Sequence, residues 1–392
     1  MWEKERAHSY NSVSLEFSIQ NSIDWINLNS ARIDTLAGNC QWPNPYFSSA
    51  WLQVWWERVD GPHSPVLIIV ENSEEELVGF WPFVERPGLL RSRGIWPFVY
   101  DEANYFHPLA LVVAIPSLMD GLQSLLRRYT FAWIPLMRNE LWEKYLAQRV
   151  RESFLLSIKR SPRKTFLIER SNESFEDFWS KKMGSKSRKS FRYDQRALAQ
   201  QGKVEFEVWE EFSDVRATLP ATCLVEVESS KSKNGAGLFS IRGKRAFFFE
   251  LLPELAKKGM VRLSILRLDD HPIAWQLDLI GPKYLAVHHL SFDEKWKKFS
   301  PGRQLLIHNL EQAWTEERTV DFLPLGFDYK EKFSTVKEKV RELHWFKRSI
   351  RGWIACRLIR WNMRVRKKIR QRKNSTLTEN NPVRKALRGE RI

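Results

Sequence analysis

Apolar positions along the chain recur with two different periods. An aromatic stretch with helical spacing, FSSAWLQVWWERV, follows the turn WPNPY, with Ser48 or Ser49 placed to cap it. Short apolar runs bounded by turn residues come next and predict strands: PVLIIVE, LVGFWPFVE, a third around GIWPFVY, and HPLALVVA. The last leads into a helix, IPSLMDGLQSLLRRY, with Pro116 in its first turn. FAWIPL then predicts a strand and LWEKYLAQRV a helix. A polar, basic connector, IKRSPRKT, closes this series.

A second series opens on FLIE. Two helices are expected in SNESFEDFWSKKMGSKSRKSFRYDQRALAQQG, the first capped by Ser171 or Ser174 and the second closed by Gly202. KVEFEVW has strand period, and ATLPATCLVEVESSKSKNGAGLF runs from a helix into a glycine-containing loop. RAFFFELLPELAKKG predicts a helix ending at Gly259. Three strands in meander spacing follow: MVRLSILRLDD, HPIAWQLDLIG and KYLAVHHLSFD. The loop KWKKFSPGRQ, the helix LLIHNLEQAWTEE, the strand VDFLPLG and the short helix YKEKF complete the series. Strands alternating with helices of this length indicate a layered α/β (α+β) protein. Both series have the same strand-then-helix grammar without a residue-level repeat, which divides the chain into units 1–165 and 166–345 and a tail, 346–392.

Composition narrows the class. With 392 residues, 43% hydrophobic and 28% charged, the chain is long enough for two domains and too apolar to be largely disordered. The longest nearly uninterrupted apolar run, 109–119, is about half of the ~20 residues that span a bilayer, and Pro116 interrupts it. The N-terminus MWEKERAHSYN lacks an apolar signal region, so no secretory leader is expected. Cys40, Cys223 and Cys356 are too far apart and too few for a disulfide framework or a zinc pattern, so a reducing, cytoplasmic location without a metal is expected. Of the net charge of +16, the segment 346–392 carries +14, from 16 basic and two acidic side chains. The body is nearly neutral, and the tail is the part that seeks an anionic partner.

Candidate chemistry concentrates between Lys283 and Lys330. A strand runs into a loop with Ser300, Pro301 and Gly302, where a helix begins. Glycine permits close backbone approach, and a helix N-terminus offers unpaired N–H groups and a positive dipole end, a combination suited to pyrophosphate. Arg303 and Lys297 or Lys298 add positive charge.

The order of these elements resembles the second half of a GNAT acyltransferase core. The wider pattern is similar to the BioF2-like group, also described as CelD/BcsL-type proteins of cellulose and exopolysaccharide synthesis. The likeness covers roughly residues 40–345. In the first unit it rests on NPYFSSAWLQVWWE, on PVLIIVE with LVGFWPFVE, and on Tyr100, Asp101 and Tyr105. In the second it rests on RKSFRYDQRALAQQG, VEVESSKSKNGAGLF, RLSILRLDDHPIAWQLDL, SFDEKWKKFSPGRQLL and FLPLGFDYKEKF. One departure is Ser230, which precedes Lys231 where that family usually has tryptophan. The resemblance implies two tandem GNAT-like halves, with acetyl-CoA or another acyl-CoA bound in the second. Ser300, Pro301, Gly302, Arg303 and Gln304 would hold its pyrophosphate. The backbone from His288 to Ser291, including His289 and Leu290, would polarise the thioester carbonyl. The helix IPSLMDGLQSLL takes the corresponding place in the first half without a basic, glycine-opened turn, which makes that half a scaffold or acceptor wall.

Acyl transfer needs a base for the nucleophile and an acid for the leaving thiolate. Base candidates are Glu226, Glu228, His288, His289 and Asp293; strand alternation puts the two histidines on opposite faces, so at most one reaches the cleft. Tyr329, just after VDFLPLG, is the acid candidate. Lys231, Asp293 and Lys330 are candidates for contacting substrate. No Cys or Ser has a nucleophile's setting, which points to direct attack on the thioester. The expected activity is transfer of an acyl group to an amine or hydroxyl of a sugar, envelope or exopolysaccharide precursor.

Two other readings stay open. A Fem-type transferase has the same tandem architecture with aminoacyl-tRNA as donor, and the basic run Lys186, Arg188, Lys189, Arg192 and Arg196 would serve the RNA. A non-catalytic GNAT scaffold of a polysaccharide synthase is the other. Trp42, Trp81 and Trp96 are candidates for sugar stacking. In the tail, Ile350, Ile354, Leu358, Trp361, Val365 and Ile369 form one helical stripe beside Trp353, with arginines and lysines around it. That pattern suits an anionic membrane surface contacted through residues 350–370, or a helix docked on the body, with the sequence after Lys373 disordered.

Overall fold

The structure, a computed structural model, describes residues 15–379 apart from 41, 89–91, 149–155, 160–161 and 325–327, with side chains of the last helix described as far as Val365. The segment after Lys373, expected to be disordered, is helical as far as Glu379 and beyond that lies outside the described residues. The first half comprises β1 (Phe17–Gln20), helices α1 (Ile23–Leu28), α2 (Ser30–Asn39) and α3 (Ser49–Arg58), then β2 (Ser64–Glu71), β3 (Leu77–Pro87), β4 (Arg93–Pro97), the short β5 (Leu109–Ala110), α4 (Ile115–Arg128) and β6 (Phe131–Arg138). Strands β7 (Leu156–Lys159) and β8 (Arg163–Ile168) follow. The second half comprises α5 (Phe175–Lys182), α6 (Ser185–Ala199), β9 (Val204–Trp209), α7 (Phe212–Val227), α8 (Arg242–Ala256), β10 (Val261–Leu268), β11 (His271–Gly281), β12 (Tyr284–Phe292), α9 (Pro301–Thr315), β13 (Thr319–Asp321) and α10 (Asp328–Phe333). Strand β14 (Val336–Phe346) and α11 (Ile350–Glu379) end the described chain.

One continuous sheet runs β1-β2-β3-β4-β6-β14-β8-β13-β12-β11-β10-β9, with β5 beside β3 and β7 beside β14. Its two ends mirror each other. Three antiparallel pairings lead to a parallel pair, β4 with β6 in one half and β12 with β13 in the other. A helix joins each parallel pair, α4 in the first half and α9 in the second. This repeated topology is the tandem arrangement that the GNAT resemblance implies. The halves also exchange strands: β8 follows β6 in the chain yet pairs with β13, while β14 follows β13 yet pairs with β6. The exchanged strands pair with each other, which closes the sheet across the junction.

The amphipathic period of α4 turns Leu118, Met119, Leu122 and Leu125 inward. Gly121 lets this helix approach β2, since a Cβ there would lie 2.5 Å from Ile68 Cγ2. Ser174 caps α5 by accepting from Asp177 N, as one of the two expected serines. One apolar core runs through both halves, joining Trp51 and Trp55 of α3 to Phe247 and Phe248 of α8. A second core, with Leu306, Leu310 and Phe322, lies under α9.

Several expectations are corrected here. The connector IKRSPRKT contributes to β7 and β8. The segment VKEKVRELHWF, which suggested no element, is the long strand β14. HPLALVVA is extended only at Leu109–Ala110, and VDFLPLG contributes only the end of Thr319–Asp321. Trp42 and Trp81 are core residues, closed to a sugar ring. Trp96 is half-buried, between Arg86 and Phe131.

Candidate active site between the halves

Strand β12 pairs with β13 only at Tyr284–Thr319, Leu285–Val320 and Ala286–Asp321, and beyond Ala286 its β13-facing edge runs on without a rung of that ladder. On its other side, the register with β11 slips. Leu277 opposes His289 and Asp278 opposes Val287, so His288 is the extra residue of a bulge. The bulge breaks the alternation that would send the two histidines to opposite faces. Both line one cavity of about 220 Å³, together with Asp101, Glu102 and Asn104 of the first half and Gly237, Leu238, Lys244 and Phe248 of the second. The expectation that at most one histidine reaches the cleft is thereby corrected.

Glu226 sits in the last turn of α7, buried, and its carboxylate is 2.9 Å from His289 Nε2. The same carboxylate accepts the main-chain N–H groups of Leu238 (3.0 Å) and Phe239. Burial raises its pKa, but the hydrogen bonds from His289 and these amides outweigh burial and hold it below the usual carboxylate value. Burial pulls His289 down to about 4 despite the carboxylate. At neutral pH the pair is therefore a carboxylate and a neutral imidazole. The imidazole donates through Nε2–H and keeps Nδ1 as its acceptor, the arrangement by which a carboxylate orients a histidine base. Ser291 Oγ lies 3.2 Å from the same Nε2.

His288 is held from the other half. Asn104 Nδ2 donates to Tyr46 Oη at 3.0 Å, and Tyr46 Oη lies 3.1 Å from His288 Nδ1. Of these two partners only the imidazole can accept the Tyr46 proton, which makes Nδ1 the acceptor and leaves Nε2–H as a donor. Burial pulls His288 to about 3, helped by the neighbouring His289, Lys244, Lys231 and Lys330. The cavity is thus lined by one imidazole with a free acceptor and another with a free donor.

Two lysines stand on the lips of the open β12/β13 edge. Lys231 Nζ donates to Leu290 O and Lys330 Nζ to Phe322 O, each at 2.5 Å. Burial lowers both to about 8, with Lys330 further lowering Lys231. Next to them Asp321 ties the halves together. It accepts from Tyr105 Oη at 2.8 Å and from Leu323 N at 2.7 Å, and it pairs with buried Arg138 at 3.4 Å. In the cavity wall, Asp101 accepts from Trp55 Nε1 at 2.8 Å. Glu102 pairs with Lys244 at 3.1 Å, and burial raises its pKa against that pairing.

The other sequence candidates lie elsewhere. Asp293 caps the turn before α9 by accepting from Lys295 N at 2.8 Å. Glu228 is exposed at the end of α7. Tyr329 packs edge-on to Phe322 in the core under α9, and burial raises it to about 12. At the start of α9, Pro301, Gly302 and Gln304 are buried. Ser300 is left-handed (φ 53°) and donates to Asp194 at 2.9 Å. Arg303 reaches Ser187 O at 3.0 Å and lies over the Phe191 ring, and Gln304 turns back to Phe299 O. Gly302 is pressed against β12, since a Cβ would lie 2.9 Å from Phe292 Cδ1. Lys186, Lys189 and Arg192 are exposed on α6, which this helix start meets through Ser300–Asp194 and Arg303–Ser187, and Lys297 and Lys298 are exposed in the turn just before it. A pyrophosphate fits the charge of this surface, with Asp194 as the opposing group. Among the described residues no cluster of His, Cys, Asp and Glu is suited to a metal ion.

Tyr46, Asn104, Glu102 and Lys244 were not among the residues expected at the site. For the first three the one signal is polar side chains, in NPYF and DEANYF, beside aromatic and apolar residues.

No curated protein matches the chain. Residues 185–331 match the family described as an acetyltransferase (GNAT) domain. Among solved structures, FemX superposes with a TM-score of 0.60 at 10% identity, covering 84% of this chain and 97% of its own. A conserved protein of unknown function from Bacteroides thetaiotaomicron gives 0.54 at 9%, covering 84% and 100%. A C-terminal DUF2156 domain from Agrobacterium fabrum gives 0.52 at 12%, covering 84% and 96%. At these identities the structures share the fold, while the sequence match marks residues 185–331 as an acetyltransferase (GNAT) domain, which supports an acyltransferase.

Proposed function

We propose that the chain transfers an acyl group from acyl-CoA to an amine or hydroxyl of a polar acceptor the size of a sugar unit, held between the halves. The observation that carries this reading is the Glu226–His289 pair on a bulged β12, facing a small polar cavity beside the open edge of that strand. His289 Nδ1 takes the proton from the acceptor's amine or hydroxyl, and Glu226 stabilises the imidazolium that results. His288 Nε2–H and the charges of Lys231 and Lys330 face negative charge developing at the reacting carbonyl. Asp101, Glu102 and Lys244 supply a wall of both charges, which suits an acceptor rich in hydroxyl and ammonium groups. Acyl-CoA, when bound, supplies an activated thioester carbonyl, and the basic surface around the start of α9 would hold its phosphates.

The proton for the leaving thiolate comes from Lys330, lowered to about 8, rather than from Tyr329, which is packed against Phe322 and raised to about 12. A sugar, envelope or exopolysaccharide precursor fits the cavity's chemistry, and kinship with the BioF2-like, CelD/BcsL-type group belongs to the same reading. The free cysteines suit a reducing compartment, the cytoplasm.

A Fem-type reaction, with aminoacyl-tRNA as donor, is the second reading, favoured by the fold shared with FemX and by the exposed basic face of α6. Calorimetry with acetyl-CoA and with bulk aminoacyl-tRNA at equal ionic strength separates them. Micromolar CoA binding and labelled acetyl transfer to an amino-sugar panel are expected. Tight, salt-sensitive tRNA binding without CoA binding would replace the first reading by the second.

A further inference from the structure

The tail helix α11 is docked by the face the sequence pattern did not select. Ala355 and Cys356 are buried against Phe346, with Ile359, Ile158 and Phe131 beside them. Gly352 approaches Lys347 O so closely that a Cβ would collide with it, and Arg360 Nη2 reaches Ser157 O at 3.5 Å. Residues 352, 355, 356 and 359 share one side of a 3.6-residue helix, and 350, 354 and 361 lie about half a turn away. That outer side stays in solvent. Ile350 is 81% exposed, Trp353 53%, Leu358 41% and Trp361 65%. Arg357 lies over the Trp353 ring at 4.8 Å. Arg351, Arg357 and Arg364 are exposed beside this stripe, and no acidic residue occurs between Glu342 and Glu379.

We infer that this outer face of α11 is a docking surface for an anionic lipid bilayer, on which the enzyme lies peripherally. Four large exposed apolar side chains, two of them tryptophans, fit the boundary between headgroups and acyl chains. The flanking arginines reach lipid phosphates while their stems cover the apolar stripe. An RNA partner would use the arginines but gain little from exposed Ile350 and Leu358. Among the described residues no helix is long and apolar enough to cross a membrane, so the helix lies along the surface. The docked inner face fixes the outer one in place before any membrane is met, which lowers the ordering cost of binding. The inference is independent of the reaction proposed above.

The test uses the full chain with vesicles of phosphatidylglycerol and phosphatidylcholine, against phosphatidylcholine alone. Expected are co-flotation with the anionic vesicles, a blue shift of tryptophan fluorescence, and release as salt rises. Trp353→Ser with Trp361→Ser, both at solvent-facing positions, should weaken partition at least about tenfold while the thermal midpoint is retained. Arg357→Glu with Arg364→Glu should weaken it at least about a hundredfold. Equal binding to neutral vesicles overturns the inference, as does unchanged partition in both variants. Loss of folding in both variants also overturns it, because the face would then be packed on the body. Displacement from anionic vesicles by tRNA at equal ionic strength would show that nucleic acid is the partner.

Discussion

Tyr46 of the first half hydrogen-bonds His288 of the second at 3.1 Å, and the two residues are 242 positions apart in the chain. This contact makes the first half part of the site. The hydroxyl, already engaged by Asn104, fixes the imidazole as its Nε2–H tautomer.

Removing that hydroxyl tests the arrangement directly. In Tyr46→Phe, His288 Nδ1 loses its donor, and the ring should become a mixture of tautomers. Two-bond 1H–15N correlation spectra of histidine-labelled protein report this without a substrate. An Nδ1 shift for His288 that is the same in the variant and the parent would show that Tyr46 does not set the tautomer.

Glu226→Gln keeps the shape of the site and removes the charge that stabilises a protonated His289. Turnover should fall by roughly 10²- to 10⁴-fold with little change in CoA affinity. In the parent enzyme the base must be deprotonated, so kcat/KM should rise with pH through about 4, the His289 value. It should fall again near 8, where Lys231 and Lys330 lose their protons. Lys231→Met should lower the plateau and weaken that alkaline limb. An unaltered profile in this variant would remove Lys231 from the reaction.

The start of α9 makes a further prediction. Asp194 holds Ser300 Oγ where a pyrophosphate would meet the helix N-terminus. Asp194→Asn removes one repelling charge and should raise CoA affinity roughly three- to tenfold, more at low salt than at high. Calorimetry at two ionic strengths reads this. The same affinity in variant and parent would place the phosphates away from Ser300–Gln304.

Buried His107 sets part of the acid stability. Desolvation, together with the charge of Arg138, lowers it from 6.5 to about 3 in the folded protein. The unfolded chain therefore binds the extra proton between these values. Stability is full above 6.5 and falls as pH drops through the window, by about 1.4 kcal/mol per pH unit for one histidine. His288 and His289 act in the same direction. Urea unfolding at pH 7 and pH 5 should show a slope smaller by one proton in His107→Gln.

The pattern of apolar positions determined more of the fold than of the site. The strands β2, β3, β10, β11 and β12 and the helices α3, α4 and α8 are long enough for their period to show, because each buries a face against the sheet. Strand β14 escaped notice because VKEKVRELHWF is half charged, and its hydrogen-bonding partners, β6 and β8, lie far away in the chain. The basic segment RKT at the end of the supposed connector became extended in the same way, by pairing with β14.

In the site, Glu226, His288, His289, Lys231 and Lys330 were legible as residue types at suggestive positions. Their grouping was not. A one-residue bulge opposite Leu277 and Asp278 turned both histidines to one cavity, and local sequence does not encode a slip between two paired strands. Tyr46, Asn104, Glu102 and Lys244 reach that cavity only because one core joins α3 to α8 and exchanged strands close the sheet. The tail shows the same division. Sequence alone determined a basic helix with an apolar stripe, while tertiary packing decided which side it buries. The small residues Ala355 and Cys356 allow close approach to Phe346, and Gly352 to the backbone of Lys347, which leaves the bulky Ile350, Trp353 and Trp361 facing outward.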